Sequence, residues 1–351
     1  MTWSVGEDLE TEILVRLPAK SLMRFRCVQQ SWKALFKTYT FVTRHMNTRS
    51  IMQKRFMTLH YRPPPGLEPC ITVFPSNTDP FQRFEPPFKD LFPRSKTLIY
   101  SYNYCNGVLC LRVSNGLSRW FIFWNPCTRE VKLSPEPFNH AALWGFGVDP
   151  NTNHFKLVRI FRDLPAELYN PNTNFWTLLD DQTPLASFTT GFGYSKQNAF
   201  VNGVFHWLIQ CDNPFAIILC FSFRDKHFSE LKGPIPIFDS DAFHNIAEVD
   251  GSIAYVVRSR NPVRFEIWVM DQHHWTKKYN IGPFDPSFRI YCIGTDGTKV
   301  LGRKEDQNLM LYDFDARPLH QFQFDGFFSF SFVHNHAPIQ KFVESVASLY
   351  V

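Results

Sequence analysis

His273 and His274, with Asp271 just before them, are the side chains of this 351-residue chain best suited by type to hold a metal ion. Adjacent residues on a strand or turn point in different directions, so the group reads more simply as a polar turn. No H-E-x-x-H motif and no zinc-type Cys/His spacing occurs. Cys105 and Cys110 flank Asn106-Gly107, a tight-turn pair, and read as core or turn residues rather than as a reactive couple. Gly145-Phe146-Gly147 and Gly191-Phe192-Gly193 lack the pattern of a phosphate loop and suit close strand packing. Asp180-Asp181, Asp239 and Asp241 suit a cation or, more simply, solvated turns. No G-x-S-x-G elbow is present. The expectation is a chain with no catalytic residue, no metal and no cofactor, whose work is recognition.

The elements that would do that work differ along the chain. Residues 1–60 hold ten Lys/Arg and four Asp/Glu, net +6, while the remainder holds 27 and 28, net −1. A basic N-terminal face favours an acidic partner and speeds its encounter. Nucleic acid is not the expected partner, because no groove-reading helix or base-stacking motif accompanies the charge. Met1–Glu12 is acidic with no apolar run after it, so neither a secretory leader nor a membrane span is expected. Eight scattered cysteines without a C-x-x-C pair read as buried, reduced thiols of a cytoplasmic or nuclear protein.

Leu9, Ile13 and Leu17 recur every four residues with Leu14 beside them, which predicts an amphipathic helix. Glu7, Asp8, Glu10 and Glu12 suit the positive end of its dipole. Leu17-Pro18 ends it, and Pro18 opens a second helix carrying Leu22, Phe25 and Val28. Ser31 is the expected cap of a third, with Trp32, Leu35 and Phe36 on one face, and Thr40 of a short final turn holding Phe41, Val42 and His45. Three helices in some forty residues are too few for a self-sufficient core, so part of this apolar surface faces a neighbour, either the rest of the chain or another protein.

The run L-x-x-E-I-L-x-R-L-P-x-K-S-L-x-R-F-R-C-V-x-x-S-W, Leu9 to Trp32, resembles the F-box over nearly its whole length. The resemblance implies that Leu9, Ile13, Leu14, Leu17, Pro18, Leu22 and Val28 help form a surface docking a Skp-family adaptor, and through it a cullin and a RING protein. It also implies that Trp32 packs within the module. Two positions depart from the family pattern. Gly6-Glu7-Asp8 replaces the Leu-Pro pair before the first helix, and Gln29-Gln30 replaces Cys-Lys before Ser31-Trp32.

Beyond the Pro-rich stretch 61–93, a unit recurs. Asn106-Gly107, Asp149-Pro150, Asn202-Gly203, Asp250-Gly251 and Asp296-Gly297 start 43, 53, 48 and 46 residues apart, each ahead of an apolar run. A second polar turn follows each, at Asn125-Pro126, Asn170-Pro171, Arg224-Asp225, Asp271-Gln272 and Asp313-Phe314. A period near 46 with several short strands per unit predicts β-propeller blades. Five units are visible, and residues before Asn106 with the C-terminal FSFSFV and VESVASLYV supply or close a sixth. A β-sandwich or barrel is the competing fold, and it would show no long period.

YCNGVLCL (104–111), WNPCTRE (124–130), WGFGVDPNTNHFKLVRI (144–160), GFGY (191–194), FEIWVMDQHHWTKKYNIGP (265–283) and FVESVASL (342–349) are similar to the F-box-associated domain of plant F-box proteins, nearest to S-locus and S-locus-like members. The reading is therefore an α+β chain of two domains. Residues 1–50 form a three-helix F-box, 51–100 a Pro-rich linker with the first blade strands, and 101–351 a propeller-like domain of six blades. The resemblance implies a substrate receptor of a Skp–cullin–F-box ubiquitin ligase, with a non-self ribonuclease (S-RNase) as target in the S-locus version. The alternatives are a propeller enzyme and a carbohydrate-binding propeller outside any ligase. The loops best placed to recognise a target are Phe138–His140, Leu164–Glu167, Ile237–His244 and Arg258–Arg264, the last carrying Arg258, Arg260 and Arg264.

Overall fold

A computed structural model describes residues 4–52, 55–61, 69–75, 82–87, 91, 98–114, 119–135, 143–161, 165–179, 198–209, 215–236, 243–293, 299–304, 309–322 and 340–349. Four helices come first: α1 (Ser4–Leu14), α2 (Ala19–Phe25), α3 (Gln30–Leu35) and α4 (Tyr39–Met52). α1 gives way to a turn at Leu14, ahead of Pro18, and α2 starts directly after that proline, whose missing N–H costs nothing there. Two sequence expectations are corrected. α3 is entered from Gln29, not Ser31, without a side-chain cap. α4 is a full helix of 14 residues rather than a short turn, and the hydroxyl of Thr38, not Thr40, accepts the Phe41 N–H at 3.3 Å.

The strands follow in chain order. β1 (Arg55–Tyr61), β2 (Pro69–Pro75) and β3 (Gln82–Phe84) belong to the first blade. β4 (Leu98–Cys105), β5 (Val108–Ser114), β6 (Arg119–Trp124) and β7 (Val131–Leu133) make the second. β8 (Leu143–Val148), β9 (Phe155–Ile160), β10 (Glu167–Asn170) and β11 (Phe175–Leu178) make the third. β12 (Asn198–Val201), β13 (Val204–Ile209), β14 (Phe215–Ser222) and β15 (His227–Pro236) make the fourth. β16 (Phe243–Val249), β17 (Ser252–Arg260), β18 (Val263–Asp271) and β19 (His274–Phe284) make the fifth. β20 (Arg289–Ile293), β21 (Lys299–Arg303), β22 (Leu309–Asp313) and β23 (Pro318–Phe322) make the sixth. Finally β24 (Gln340–Phe342) pairs antiparallel with β1, giving the first blade the order β24-β1-β2-β3. Six four-stranded sheets thus form a six-bladed propeller, closed by a strand from the far end of the chain.

Each seam between neighbouring blades has its own apolar cluster. Leu109 and Leu111 meet Met57 and Leu59 between blades one and two, and Phe123 meets Phe146 between two and three. Val158 meets Trp207 between three and four, and Ile218 meets Tyr255 between four and five. Ile267 meets Val300 between five and six, and Phe74 meets Leu309 where the ring closes. Strands covered on both faces have no wet side, which is why β5 and β9 are buried almost throughout instead of alternating. Gly145 shows how tight a seam is: a Cβ there would lie 2.7 Å from Phe205 and 2.8 Å from Trp207.

Burial also sets the protonation of two histidines. His206, on β13, is buried, and loss of hydration pulls its pKa from 6.5 to about 4. His45, on α4, is fully buried and is pulled down for the same first reason. His206 therefore stays neutral in the folded protein well below the pH, about 6.5, at which the unfolded chain takes up a proton, and the lowering at His45 acts in the same direction. Stability should therefore be level above that pH and fall as pH drops toward 4, by about 3 kcal/mol for His206 alone. Thermal melts from pH 7.5 to 4.5 check this. His206→Gln should flatten the slope, and an unchanged slope in that variant would refute the assignment.

Candidate docking site

In an antiparallel meander the first-to-second and third-to-fourth turns share one face, and the remaining links share the other. The near face carries the repeated landmarks. Asn106-Gly107, Asn202-Gly203 and Asp250-Gly251 have positive φ at both residues, the type I′ geometry that favours Asn, Asp and Gly. The polar turns after Trp124, Asn170 and Ser222 each close with a left-handed residue, Arg129, Asn174 and Lys226. Asp296-Gly297 lies outside the described residues.

The helices sit against this near face. Their core is Leu14, Val15, Ala19, Leu22, Phe36 and Phe41, with Val346 from the C-terminal run and Cys127 from blade two packed into it. Val42 reaches the cluster between blades two and three. Phe36 and Phe41 pack with ring centroids 5.0 Å apart. Trp32 lies 5.6 Å from Phe25, and its Nε1–H donates to Glu10 Oε1, so it packs within the module. Glu12 pairs with Arg16 and with Arg44, tying α1 to α4.

The seven residues singled out in the sequence divide between inside and outside. Leu9, Ile13 and Val28 are exposed at 60%, 62% and 69%, and Pro18 is exposed beside them in sequence. Leu14 and Leu22 are buried at 3% and 0%, and Leu17 packs partly against the same core. Three large aliphatic side chains of these seven are thus left in water by a module too small to cover them, as are Ile51 and Met52 at the end of α4. Lys20, Arg24, Lys33 and Lys37 stand exposed on α2, on α3 and just beyond it, while the exposed Asp8 precedes Leu9 on α1.

Sequence reasoning did not single out Glu344 or Arg49, and it placed His45 on a final turn without a partner. His45 Nε2 meets the Leu17 carbonyl at 2.9 Å, and because a carbonyl can only accept, Nε2 carries a proton. Arg49 donates to the Arg16 carbonyl at 3.2 Å and pairs with Glu344 at 3.3 Å. The signal was present in FVESVASL, where one carboxylate sits inside an apolar run, but its partners are some three hundred residues away.

The far face carries the second-to-third turns and the blade-to-blade links. The strands flanking Phe138–His140, Leu164–Glu167, Ile237–His244 and Arg258–Arg264 all end or begin there. Phe138, Asn139, His140, Leu164 and residues 237–242 lie outside the described residues. The Arg258–Arg264 turn is held by Ser259 Oγ, which donates to the Pro262 carbonyl at 2.9 Å, and by Arg258, which donates to the Pro286 carbonyl at 2.8 Å.

The other chemistry-bearing residues are spread through the structure. His273 and His274 are exposed at the β18–β19 turn. Cys105 and Cys110 are buried, and burial pushes both thiols up. Cys70 and Cys220 are buried too, Cys127 is half-buried, and Cys27 is exposed, contrary to the expectation of burial for every thiol. Gly145 and Gly147 pack against rings of blade four. Asp180, Asp181, Asp239, Asp241, Gly191 and Gly193 lie outside the described residues. Among the described residues, no group of three His, Cys, Asp or Glu is placed to hold a metal ion, and no helix is long and apolar enough to cross a membrane.

The described residues thus form a six-bladed propeller bearing a small helical module on one face. Residues 50–328 match the F-box associated beta propeller domain, and the chain belongs to that family. A putative F-box protein of Arabidopsis thaliana is 25% identical over 249 residues, 68% of this chain and 62% of that protein. An F-box/kelch-repeat protein of the same plant is 23% identical over 325 residues, 84% of each. Another Arabidopsis F-box protein is 27% identical over 239 residues, 65% of this chain and 60% of that protein. This chain therefore spans about three fifths of the first and third of these relatives. Among solved structures, TolB from Acinetobacter baumannii aligns with a TM-score of 0.42 and 11% identity, over 81% of this chain and 71% of that one.

Proposed function

We propose that the protein is the substrate receptor of a Skp–cullin–F-box ubiquitin ligase, acting in the cytoplasm or nucleus. One observation carries this reading: the helical module is fixed to the near face yet leaves Leu9, Ile13 and Val28 in water. Exposed aliphatic anchors on a module of net charge +6 over residues 1–60 fit a partner that is apolar at its contact and acidic overall. Leu9, Ile13, Pro18 and Val28 would touch the adaptor, while Leu14, Leu17 and Leu22 shape the surface from beneath. The far face, turned away from the adaptor, would hold the target. The chain itself would do no covalent chemistry and would act by raising the effective concentration of target lysines near the recruited conjugating enzyme. Within this reading, the S-locus resemblance nominates a non-self ribonuclease as target.

A purified Skp-family adaptor tests the docking half. Ile13→Asp combined with Val28→Asp should weaken binding about 100-fold, since central apolar anchors contribute more than 1 kcal/mol each, while the melting temperature stays put. Equal binding by that variant would remove the surface from the interface. For the target half, exchanging the Arg258–Arg264 turn for Gly/Ser should leave adaptor binding unchanged and abolish capture of a candidate ribonuclease. Undiminished capture would move the target site elsewhere.

A further inference from the structure

α2 follows Pro18, which offers no side-chain oxygen, yet the first amide of the helix is satisfied. Ala19 N–H donates to Glu344 Oε2 at 3.1 Å, across 325 residues of sequence. The same oxygen accepts from Arg49 Nη2 at 3.3 Å, and Glu344 Oε1 accepts from Arg55 Nη1 at 2.6 Å. Arg49 in turn holds the Arg16 carbonyl, and His45, one helical turn before it on α4, holds the Leu17 carbonyl. Every backbone contact in this set falls on the turn that presents Leu17-Pro18. Glu344, Arg49 and His45 are all buried, so these bonds work without competition from water.

The segment bearing Glu344 is itself held on both sides. Tyr104 Oη donates to the Val343 carbonyl at 2.6 Å, and Asn125 Nδ2 donates to the carbonyls of Ser345 at 3.1 Å and Ala347 at 2.9 Å. Leu349 N–H donates to Glu130 at 2.7 Å. Val346, two residues after Glu344, is inserted in the helical core. Gly107 permits the close approach, since a Cβ there would sit 2.1 Å from Ser345 Cβ. The propeller thus grips the strap, and the strap grips the α1–α2 turn.

We propose that Glu344 is a positioning residue for adaptor docking: through Arg49 and the Ala19 amide it sets the Leu17-Pro18 turn, which makes the C-terminal run 343–349 a working part of the docking module. The inference rests on the docking function proposed above. A buried carboxylate cannot be removed alone without stranding the buried Arg49, so the decisive variant removes that pair, Glu344→Leu with Arg49→Met, and leaves Arg55, the less buried of the two arginines, to Gln82 and solvent. Glu344→Gln keeps one oxygen for the Ala19 amide and serves as the conservative partner.

The full-length chain is used throughout, with a purified Skp-family adaptor as probe and amide hydrogen exchange over residues 16–22 as the second readout. The double variant should keep a cooperative melt, exchange faster over 16–22 and bind the adaptor roughly tenfold more weakly, with Glu344→Gln recovering part of both. Wild-type affinity together with wild-type exchange in the double variant overturns the positioning role and leaves the docking function standing. Absence of binding by the unaltered chain defeats the docking function itself, and the positioning role with it.

Discussion

A chain stopped after residue 339 should not unfold cooperatively. Such a chain loses β24, the strand that pairs with β1 through Arg55, Phe56 and Met57 and completes the first sheet. It also loses Phe342, Val346 and Leu349, buried in three separate clusters. Burying side chains of this size contributes about 1.5–3 kcal/mol each, so the three together approach the net stability of a typical domain. The ring would be left with an open seam and the helices with a hole. The expected outcome is an aggregating protein with weak near-ultraviolet circular dichroism and no sharp thermal transition. A truncated chain melting within a few degrees of the full one would show that ring closure contributes little.

The second large effect is at one seam. Trp207→Ala should destabilise the protein by about 4 kcal/mol, the cost of a large aromatic deletion in a core that cannot collapse. Trp207 is fully buried, stands 4.8 Å from Phe205, and donates its Nε1–H to the Trp144 carbonyl at 3.0 Å. That bond links β13 of blade four to β8 of blade three, so the substitution empties the seam and removes a donor across it. Urea denaturation should show a lower midpoint with an unchanged slope. A loss under 1 kcal/mol would mean that the neighbouring rings fill the space.

The blades were legible because a propeller repeats its turns. Asn106-Gly107, Asn202-Gly203 and Asp250-Gly251 demand left-handed backbone at two successive positions, and few residue types accept it, so the sequence advertises them. The first blade was harder to read. Its strands β1 to β3 lie in a Pro-rich stretch without such a turn, and its hub strand comes from the other end of the chain. Nothing local to Arg55–Phe84 states that it waits for Gln340–Phe342.

The proposed docking surface was legible as a set of residues but not as a surface. A four-residue step puts Leu9, Ile13 and Leu17 on one side of α1, and spacing alone does not say whether that side faces in or out. The inward side is set by Leu14 and Val15, which meet Phe36, Phe41 and Val346. Helix starts were misjudged for a related reason. Ser31 and Thr40 are good caps by type, but Gln29 and Thr38 stand where the chain enters α3 and α4. Entry points are fixed by how the helices pack, and residue preference is a weaker influence.

Because β24 pairs with β1 from far along the chain, the ring cannot shut until residues 340–342 have been made. With Glu344 also bracing the α1–α2 turn, the proposed docking surface would be set only once this run is in place. A chain broken off before residue 340 would then have neither a closed ring nor a braced α1–α2 turn.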